Sequence, residues 1–395
     1  MSSFDYVIDR KNTNSYKWDL LKYDDRISLG VADMDFKLPQ RILDEMHKRI
    51  DYGIFGYEYE GDEYYLSFIN WMKQRHGLNI AKDWIICVSG VITGIKIAIS
   101  IFTDIGDCIL LQTPIYHAYF EAIDNNNRKV VSSKLVNKDG KYEIDFEDFE
   151  NVIKRNKVKL FILCNPHNPV GRVWTKDEIL NILTICKKYS VVVLSDEVYH
   201  DFVFIKEGYN SCISFNNMYD KIIVATSPCK SFNVAGIYVA NYVIPNKELR
   251  EAFFKGKRKS GYIANNALGI KLCESIYKYG GKWLDELVEY IRENIKIVSD
   301  YFNEKFPNIM VVRTEASYLL WIDCSCLKIN YKELERVFID EMHIELSQGY
   351  TFGDNGKMFI RMNVACPKVI LKEALRRIEQ KLTKYYNLSK DGGIV

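Results

Sequence analysis

The chain has 395 residues, of which 48% are hydrophobic and 27% are charged. This composition is that of an average folded globular protein and excludes a disordered or fibrous chain. Lys and Arg total 54 against 52 Asp and Glu, a net charge of +2, so no overall field draws the protein to nucleic acid or to an anionic membrane surface.

The ten cysteines are scattered along the chain without a CxxC pair, which indicates reduced thiols rather than a disulfide framework. The N-terminal segment is polar and of mixed charge and lacks the features of a secretory signal. The longest apolar segment, residues 88–102, contains Lys96 and three hydroxyl side chains and is shorter than the about 20 apolar residues that cross a bilayer. We therefore expect a cytoplasmic protein that does not span a membrane.

In chain order, the first predicted elements are a helix from Pro39 to residue 51 and another over residues 62–76. From about residue 84, short β-branched runs alternate with amphipathic stretches, which predicts an α/β fold with a mostly parallel sheet. One of its helices begins at Thr175, where Glu178 completes a capping box, and continues to residue 189. The predicted strands are residues 84–88, 108–112, 129–133, 158–163, 191–195, 222–225 and 238–244.

The C-terminal part has a different character. A long helix over residues 282–306 leads to strands near 317–323 and 358–363 and to helices near 331–341 and 367–386. This pattern is typical of a smaller α+β domain. We expect a large domain of residues 46–285 and a small domain of residues 1–45 and 286–395, with a ligand cleft between them.

Two charged residues follow predicted strands. Asp196 comes directly after an apolar strand, and Lys230 follows the strand over residues 222–225. Ligands of parallel sheets bind beyond the carboxyl ends of the strands, so both side chains are expected to face one site. A lysine that apolar neighbours desolvate can lose its proton and form an imine with an aldehyde. The alternatives are an aspartate that caps the next turn and a solvated loop lysine.

Two turns between strands and helices are suited to a ligand. Residues 163–174, LCNPHNPVGRVW, contain two Asn-Pro pairs that form a rigid turn, from which Asn168 could donate a hydrogen bond. At Gly90 a strand gives way to a helix, and the free amides of Val91 and Ile92 suit a phosphate. Both features also have an ordinary explanation, because Asn-Pro pairs and glycines are common in plain turns.

Arg361 lies in an apolar run, KMFIRMNVA, in which its guanidinium needs an anionic partner. That partner is either a substrate carboxylate, which the planar guanidinium binds with two hydrogen bonds, or an internal Asp or Glu. Tyr116 could cover a flat ring. Tyr57 lies in an aromatic, glycine-rich loop that is costly to expose, and a second subunit is one candidate to cover it. With 27 tyrosines in the chain, chance placement is the alternative for both.

Five segments, taken in this order, resemble one enzyme family. They are VADMDF (31–36), GIFGY (53–57), CNPHNPVGRVW (164–174), CKSFNVAG (229–236) and RMNVACP (361–367). Over nearly the whole chain they are similar to the fold type I pyridoxal 5'-phosphate (PLP) enzymes of the class I/II aminotransferase superfamily. Within it they resemble the cystathionine β-lyase branch of MalY/PatB type. The resemblance implies the PLP-dependent transferase fold, as in aspartate aminotransferase.

The resemblance also implies a role for each candidate around the cofactor ring. Lys230 would form the imine with PLP and then remove the α-proton of the substrate as general base. Asp196 would pair with the pyridinium nitrogen and keep it protonated. Asn168 and Tyr199 would hydrogen-bond the phenolic oxygen, and Tyr116 would stack on the ring.

Further residues would hold the phosphate and the amino acid. Arg361, helped by the backbone around Ala32, would bind the α-carboxylate of the substrate. Tyr57 would reach across a homodimer interface to the cofactor of the neighbouring subunit and join Lys230 and Tyr116 as a catalytic residue. The phosphate would be bound by Gly90, Val91, Ile92 and Ser227.

Two positions depart from the family pattern. Eight residues after Lys230, where general aminotransferases often have an arginine that binds the phosphate, this chain has Tyr238, which fits the lyase branch. The lyase branch often has a histidine where this chain has Tyr199, which is closer to the aminotransferases. The resemblance to the lyase branch therefore rests on the five segments taken together, because these two positions point in opposite directions.

The reaction that the resemblance implies is α,β-elimination from cystathionine or a related cysteine S-conjugate, which yields a thiol, pyruvate and ammonia. The alternative is an aminotransferase that uses a 2-oxo acid co-substrate. A regulatory or nucleic-acid-binding protein on the same fold is a weaker alternative, suggested by a basic cluster that is more often a solvated helix end. The basic cluster is Lys255, Lys257, Arg258 and Lys259.

No metal is expected, because the six histidines show no HxxxH or HExxH spacing.

Overall fold

The computed structural model of the chain describes residues 2–261 and 264–390. Its strands are β1 (Ile27–Ser28), β2 (Ile85–Val88), β3 (Cys108–Thr113), β4 (Lys129–Lys134), β5 (Val136–Lys138), β6 (Lys141–Glu143), β7 (Leu160–Cys164), β8 (Val192–Asp196), β9 (Ile222–Thr226), β10 (Ala240–Val243), β11 (Met310–Val311), β12 (Leu319–Asp323), β13 (Ile344–Glu345), β14 (Ser347–Gln348) and β15 (Phe359–Asn363). Its α-helices are α1 (Gln40–Asp51), α2 (Asp62–His76), α3 (Val91–Phe102), α4 (Ala118–Asp124), α5 (Phe146–Asn156), α6 (Lys176–Lys188), α7 (Lys247–Lys259), α8 (Ala267–Tyr279), α9 (Gly281–Lys305), α10 (Tyr331–Arg336) and α11 (Lys368–Lys390).

The seven predicted strands form one sheet in the order β2-β10-β9-β8-β7-β3-β4. All of them run in the same direction except β10, which is antiparallel to both of its neighbours. Strands β7, β8 and β9 are buried at every residue, as expected for apolar strands covered on both faces. The predicted α/β class with a mostly parallel sheet is confirmed.

Strand register brings the candidate residues to one edge of this sheet. Cys164, at the end of β7, pairs with Asp196, at the end of β8, and Asp196 pairs with Ala225 of β9. The segments that carry Tyr116, Asn168 and Lys230 follow β3, β7 and β9. These three segments and Asp196 therefore lie at the carboxyl ends of four neighbouring strands, where ligands of such sheets bind.

A second, antiparallel sheet has the order β11-β12-β15-β14. Arg361, in the middle of β15, pairs with Trp321 of β12 and with Ser347 of β14. Strand β1 pairs with β13 and so joins the N-terminal segment to the C-terminal part of the chain. The predicted domain bounds at residues 45 and 285 stay a prediction.

The predicted helices agree closely with the structure. Helix α2 has the predicted bounds, and the capping box between Thr175 and Glu178 at the start of α6 is confirmed, with both hydrogen bonds present. The helix predicted over residues 331–341 begins as α10 and continues as a π-helix over Val337–Glu341. None of the described helices is both long enough and apolar enough to cross a membrane.

Three residues of the basic cluster, Lys257, Arg258 and Lys259, lie in the last turn of α7, and Lys255 lies just before them. Lys257 is buried and the other three are exposed. Cations at this end of a helix are stabilised by the partial negative charge of the unpaired carbonyl groups. The position of the cluster therefore fits the helix-end explanation given above.

Candidate active site

The amine of Lys230 lies in the turn after β9. Its Nζ donates a hydrogen bond to the carbonyl oxygen of Ala32 at 2.9 Å, and the hydroxyl of Tyr318 donates to the same oxygen at 3.3 Å. The side chain of Lys230 is half-buried. The structure thus brings together Lys230 and Ala32, which are 198 residues apart in the sequence. Tyr318 had no signal in the sequence that marked it as part of this site.

Asp196 ends strand β8 as a buried carboxylate. Its Oδ2 accepts a hydrogen bond from the hydroxyl of Tyr119 at 2.7 Å, and its Oδ1 accepts one from the amide of Val198 at 3.2 Å. Burial raises the pKa of Asp196 from 3.8 to about 6, against the hydrogen bonds from Tyr119 and Val198 and the charge of Lys230, which lower it. A buried carboxylate of this kind favours a cationic partner. Tyr119, three residues after Tyr116, was likewise not predicted from the sequence.

Arg361 is buried and hydrogen-bonded to neutral groups. Its Nη1 donates to Oδ1 of Asn168 at 3.1 Å, and its Nη2 donates to the carbonyl of Gly30 and to Oγ of Ser347, both at 2.9 Å. In the described part of the chain no carboxylate lies within ion-pair distance of this guanidinium, and its Nε has no hydrogen-bond partner. Burial lowers the pKa of Arg361. The charge is therefore left for an external anion, and the internal acid considered above is not what the structure shows.

The loop that carries Gly30 and Ala32 is held by a buried ionic network. Oδ2 of Asp35 lies 2.7 Å from Nζ of Lys17, and both side chains are almost fully buried. Oδ1 of Asp35 accepts hydrogen bonds from Arg10 and from the indole of Trp18, each at 2.9 Å. Each buried charge in this network is paired, so the loop that faces Lys230 has a fixed position.

Two tyrosines lie close to Arg361. The hydroxyl of Tyr199 is buried and has no hydrogen-bond partner among the described residues. Burial raises the pKa of Tyr199 and that of Tyr116, whereas the nearby charge of Arg361 lowers both. An unpartnered buried hydroxyl is costly unless a ligand supplies its partner. The structure thus places Tyr199 and Tyr116 in one cluster with Arg361 and Asn168.

The turn at Gly90 has the geometry of an anion site. Gly90 adopts a positive φ of 91°, and α3 begins at the next residue. A side chain at this position would be strained, and its Cβ would lie 3.3 Å from the ring of Tyr238. The first-turn amides of Val91 and Ile92 have no acceptor within the helix. They are therefore free for a phosphate.

The remaining two candidates lie in different settings. The hydroxyl of Ser227 donates to the carbonyl of Val239 at 2.6 Å, so it would have to rotate to donate to a phosphate; its predicted role stays a prediction. Tyr57 is 97% exposed and lines a surface pocket together with Phe55 and residues 264–268. Within one chain Tyr57 is therefore not part of the cluster around Lys230.

Comparison with known proteins agrees with this geometry. A family model described as aminotransferase class I and II matches residues 24–378. Cystathionine beta-lyase PatB from Bacillus subtilis is 33% identical over 386 residues, which are 96% of this chain and 100% of that protein. Cystalysin from Treponema denticola, a structure that contains a pyridoxal 5'-phosphate cofactor, has a TM-score of 0.94 and 38% identity over 96% of this chain and 98% of its own. A PLP-bound C-S lyase from Staphylococcus hominis has a TM-score of 0.90 and 31% identity over 96% and 97%.

Proposed function

Because the chain belongs to the aminotransferase class I and II family, we propose that it is a PLP-dependent carbon–sulfur β-lyase. The proposed reaction splits cystathionine or a related cysteine S-conjugate into a thiol, pyruvate and ammonia. The names of its relatives bear out the predicted cofactor and the predicted reaction. The observation that carries the proposal is the placement of the Lys230 amine and the buried Asp196 carboxylate at the ends of adjacent strands.

The described residues fit PLP at each of its polar groups. Gly90 and the amides of Val91 and Ile92 offer an anion site for the phosphate. The unpartnered hydroxyl of Tyr199 supplies a donor for the phenolic oxygen. The buried carboxylate of Asp196 accepts a hydrogen bond from a protonated ring nitrogen, and such a cation would offset its cost of burial.

When bound, PLP supplies an electron sink for the charge that develops at the α-carbon of the substrate. Lys230 supplies the proton transfer: its amine takes the proton from the α-carbon. The β-carbon–sulfur bond then breaks, and the sulfur leaves with the bonding electron pair as a thiolate. A thiolate is a good leaving group, so the chain needs no metal ion for this step.

Arg361 orients the substrate for this proton transfer. Its uncompensated guanidinium binds the α-carboxylate through charge-assisted hydrogen bonds. Because Asn168 and the Gly30 carbonyl hold the guanidinium, and the neighbouring Ala32 carbonyl contacts Lys230, the carboxylate and the amine are placed around one position for the α-carbon. This arrangement supplies proximity and orientation.

Incubation with cystathionine tests the proposed reaction directly. We expect thiol and pyruvate in equal amounts without any added oxo acid. Turnover only in the presence of a 2-oxo acid would favour the aminotransferase alternative, for which Tyr199 in place of the histidine common in the lyase branch is the supporting residue. The matched control is Lys230→Ala, which removes the amine that takes the proton.

A homodimer is the second part of the proposal. The segment around Tyr57 exposes large apolar side chains that a second copy would cover. These side chains are Ile50, Tyr52, Ile54, Phe55, Tyr57 and Tyr59, which are 50%, 66%, 61%, 54%, 97% and 84% exposed. In the dimer, Tyr57 would reach the active site of the partner subunit.

Mixing two inactive variants tests this part of the proposal. A Tyr57→Ala chain lacks the tyrosine, and a Lys230→Ala chain lacks the amine, but a hybrid dimer would contain one complete site. After unfolding and refolding of an equal mixture, we expect about a quarter of wild-type activity, since half of the dimers are hybrids with one intact site of two. No recovery of activity would show that Tyr57 does not serve a partner.

The cellular compartment is proposed on the cysteines alone. All ten are free, and seven are buried. A chain with many unpaired thiols is typical of a reducing compartment, which supports the cytoplasm.

A further inference from the structure

A buried carboxylate, Asp201, joins the two segments that carry the reactive residues. Its Oδ2 accepts a hydrogen bond from the hydroxyl of Ser231 at 2.6 Å, and both residues are buried. Ser231 directly follows Lys230, and Asp201 lies five residues after Asp196. The hydrogen bond therefore connects the turn after β8 to the turn after β9 immediately behind the proposed active site.

Asp201 is itself fixed from a third element. Its Oδ1 lies 2.9 Å from Nε2 of His76, the last residue of α2. Nε2 of His200 lies 3.6 Å from Oδ2, and Nε of Arg75 lies 3.7 Å from Oδ1. Burial opposes ionisation of Asp201, but the hydrogen bonds from His76 and Ser231 hold its pKa below the usual range. Burial lowers the pKa of His200 to about 4, so that imidazole is neutral near pH 7 and adds no charge. Tyr277 of α8 also faces this carboxylate. Burial raises the pKa of Tyr277, and the negative charge of Asp201 raises it further.

A backbone carbonyl orients the imidazole of His200. Its Nδ1 lies 2.5 Å from the carbonyl oxygen of Glu197 and donates to it, so its Nε2 faces the carboxylate of Asp201. The two histidines and Asp201 form a group close enough to hold a metal ion. His76 and Ser231 each lie within hydrogen-bond distance of one carboxylate oxygen, so both oxygens of Asp201 have a partner within the protein.

We propose that Asp201 is a positioning residue that, through Ser231, fixes the amine of Lys230 relative to the carboxylate of Asp196. This inference rests on the proposed function of Lys230. In the folded chain the Ser231 hydroxyl donates to an ionised carboxylate, which is a strong hydrogen bond. Its loss would free the turn that carries Lys230, and a small displacement of a catalytic group lowers the rate strongly.

The test compares the holoenzyme with its Ser231→Ala and Asp201→Asn variants. We expect kcat to fall about 10-fold or more, as loss of a hydrogen bond to a charged group implies, with KM nearly unchanged. The visible absorbance of bound PLP reports the protonation of the nitrogen that joins it to Lys230. Its pH midpoint should shift by about half a unit or more in both variants, a change that general loss of stability would not cause.

Ser275→Ala is the matched control. Ser275 is equally buried, but its hydroxyl donates to a carbonyl within its own helix, so its loss should leave the kcat and the midpoint unchanged. Ser231→Thr, which keeps a hydroxyl, should retain the wild-type midpoint. If Asp201→Asn fails to fold, Ser231→Ala alone decides the outcome.

Unchanged kcat and midpoint in a folded, PLP-bound Ser231→Ala variant would overturn the positioning role. A change of the wild-type midpoint on treatment with a chelator would also overturn it, because the three side chains would then act by holding a metal ion. Failure of the proposed function looks different: wild-type protein itself would show no absorbance band from a cofactor joined to Lys230.

Discussion

Replacing Asp196 with Asn should stabilise the protein in the absence of PLP and weaken its binding of PLP. The carboxyl is buried, and burial raises its pKa from 3.8 to about 6. The folded state therefore holds the proton more tightly than the unfolded state does. Ionising the buried carboxyl therefore lowers the free energy of unfolding. This loss of stability is absent below about pH 4, grows as the pH rises toward 6, and is complete at higher pH.

The size of the effect follows from the pKa. The difference between 3.8 and about 6 corresponds to about 3 kcal/mol of unfolding free energy at 1.36 kcal/mol per unit. An Asn side chain is uncharged but presents an NH2 group to one of the two donors, Tyr119 or Val198. The hydroxyl of Tyr119 can turn to accept from it, so we expect a net gain of about 1–3 kcal/mol above pH 7.

Urea unfolding of PLP-free protein at pH 4, 6 and 8 measures this gain. We expect the variant to match the wild type near pH 4 and to exceed it at pH 8, and we expect PLP to protect the wild type more than the variant. Asp139→Asn is the control, because Asp139 is exposed in a turn with φ of 49°, which Asn adopts readily. A variant that is less stable than the wild type by the same amount at every pH would refute the reasoning.

Two further substitutions should change substrate binding and stability, respectively. Arg361→Lys should raise the KM for amino acids about 10- to 100-fold in steady-state assays while the fold is retained, since an ammonium cannot form the two parallel hydrogen bonds of a guanidinium; the exposed Arg376→Lys is its control. A KM of the Arg361→Lys variant equal to that of the wild type would contradict the role of Arg361. Gly94→Ala should lower the unfolding free energy by about 1–3 kcal/mol, because the new Cβ would lie 2.2 Å from the ring of Tyr242. Its control is Gly236→Ala, at an exposed position with open space around it, which should change stability little; equal losses in the two variants would contradict the packing argument.

The main sheet could be predicted from the sequence because its strands are apolar runs bounded by turns. Strands β7, β8 and β9 are buried throughout, so their composition alone distinguishes them. The hairpin of β5 and β6 escaped prediction because β5 is fully exposed and polar in sequence. The two-residue strands β11 and β14 exist only through pairing with β12 and β15, and such pairing has no local signal.

The candidate site could be predicted in part for the same reason. Lys230 and Asp196 follow strands, and a position at a strand end can be recognised along the chain. The residues that support them cannot be recognised in this way, because Tyr318 contacts Ala32 and Asp201 contacts Ser231 across distant segments of the chain. The partner of Arg361 was also open, and only packing shows that its neighbours are neutral.

Reduction with borohydride tests the central claim most directly. Purified protein loaded with PLP is reduced, digested and mapped by mass spectrometry, so that the lysine joined to the cofactor carries a permanent label. We expect one labelled peptide, the one that contains Lys230. Label on any other lysine, or none at all in PLP-saturated protein, would contradict it.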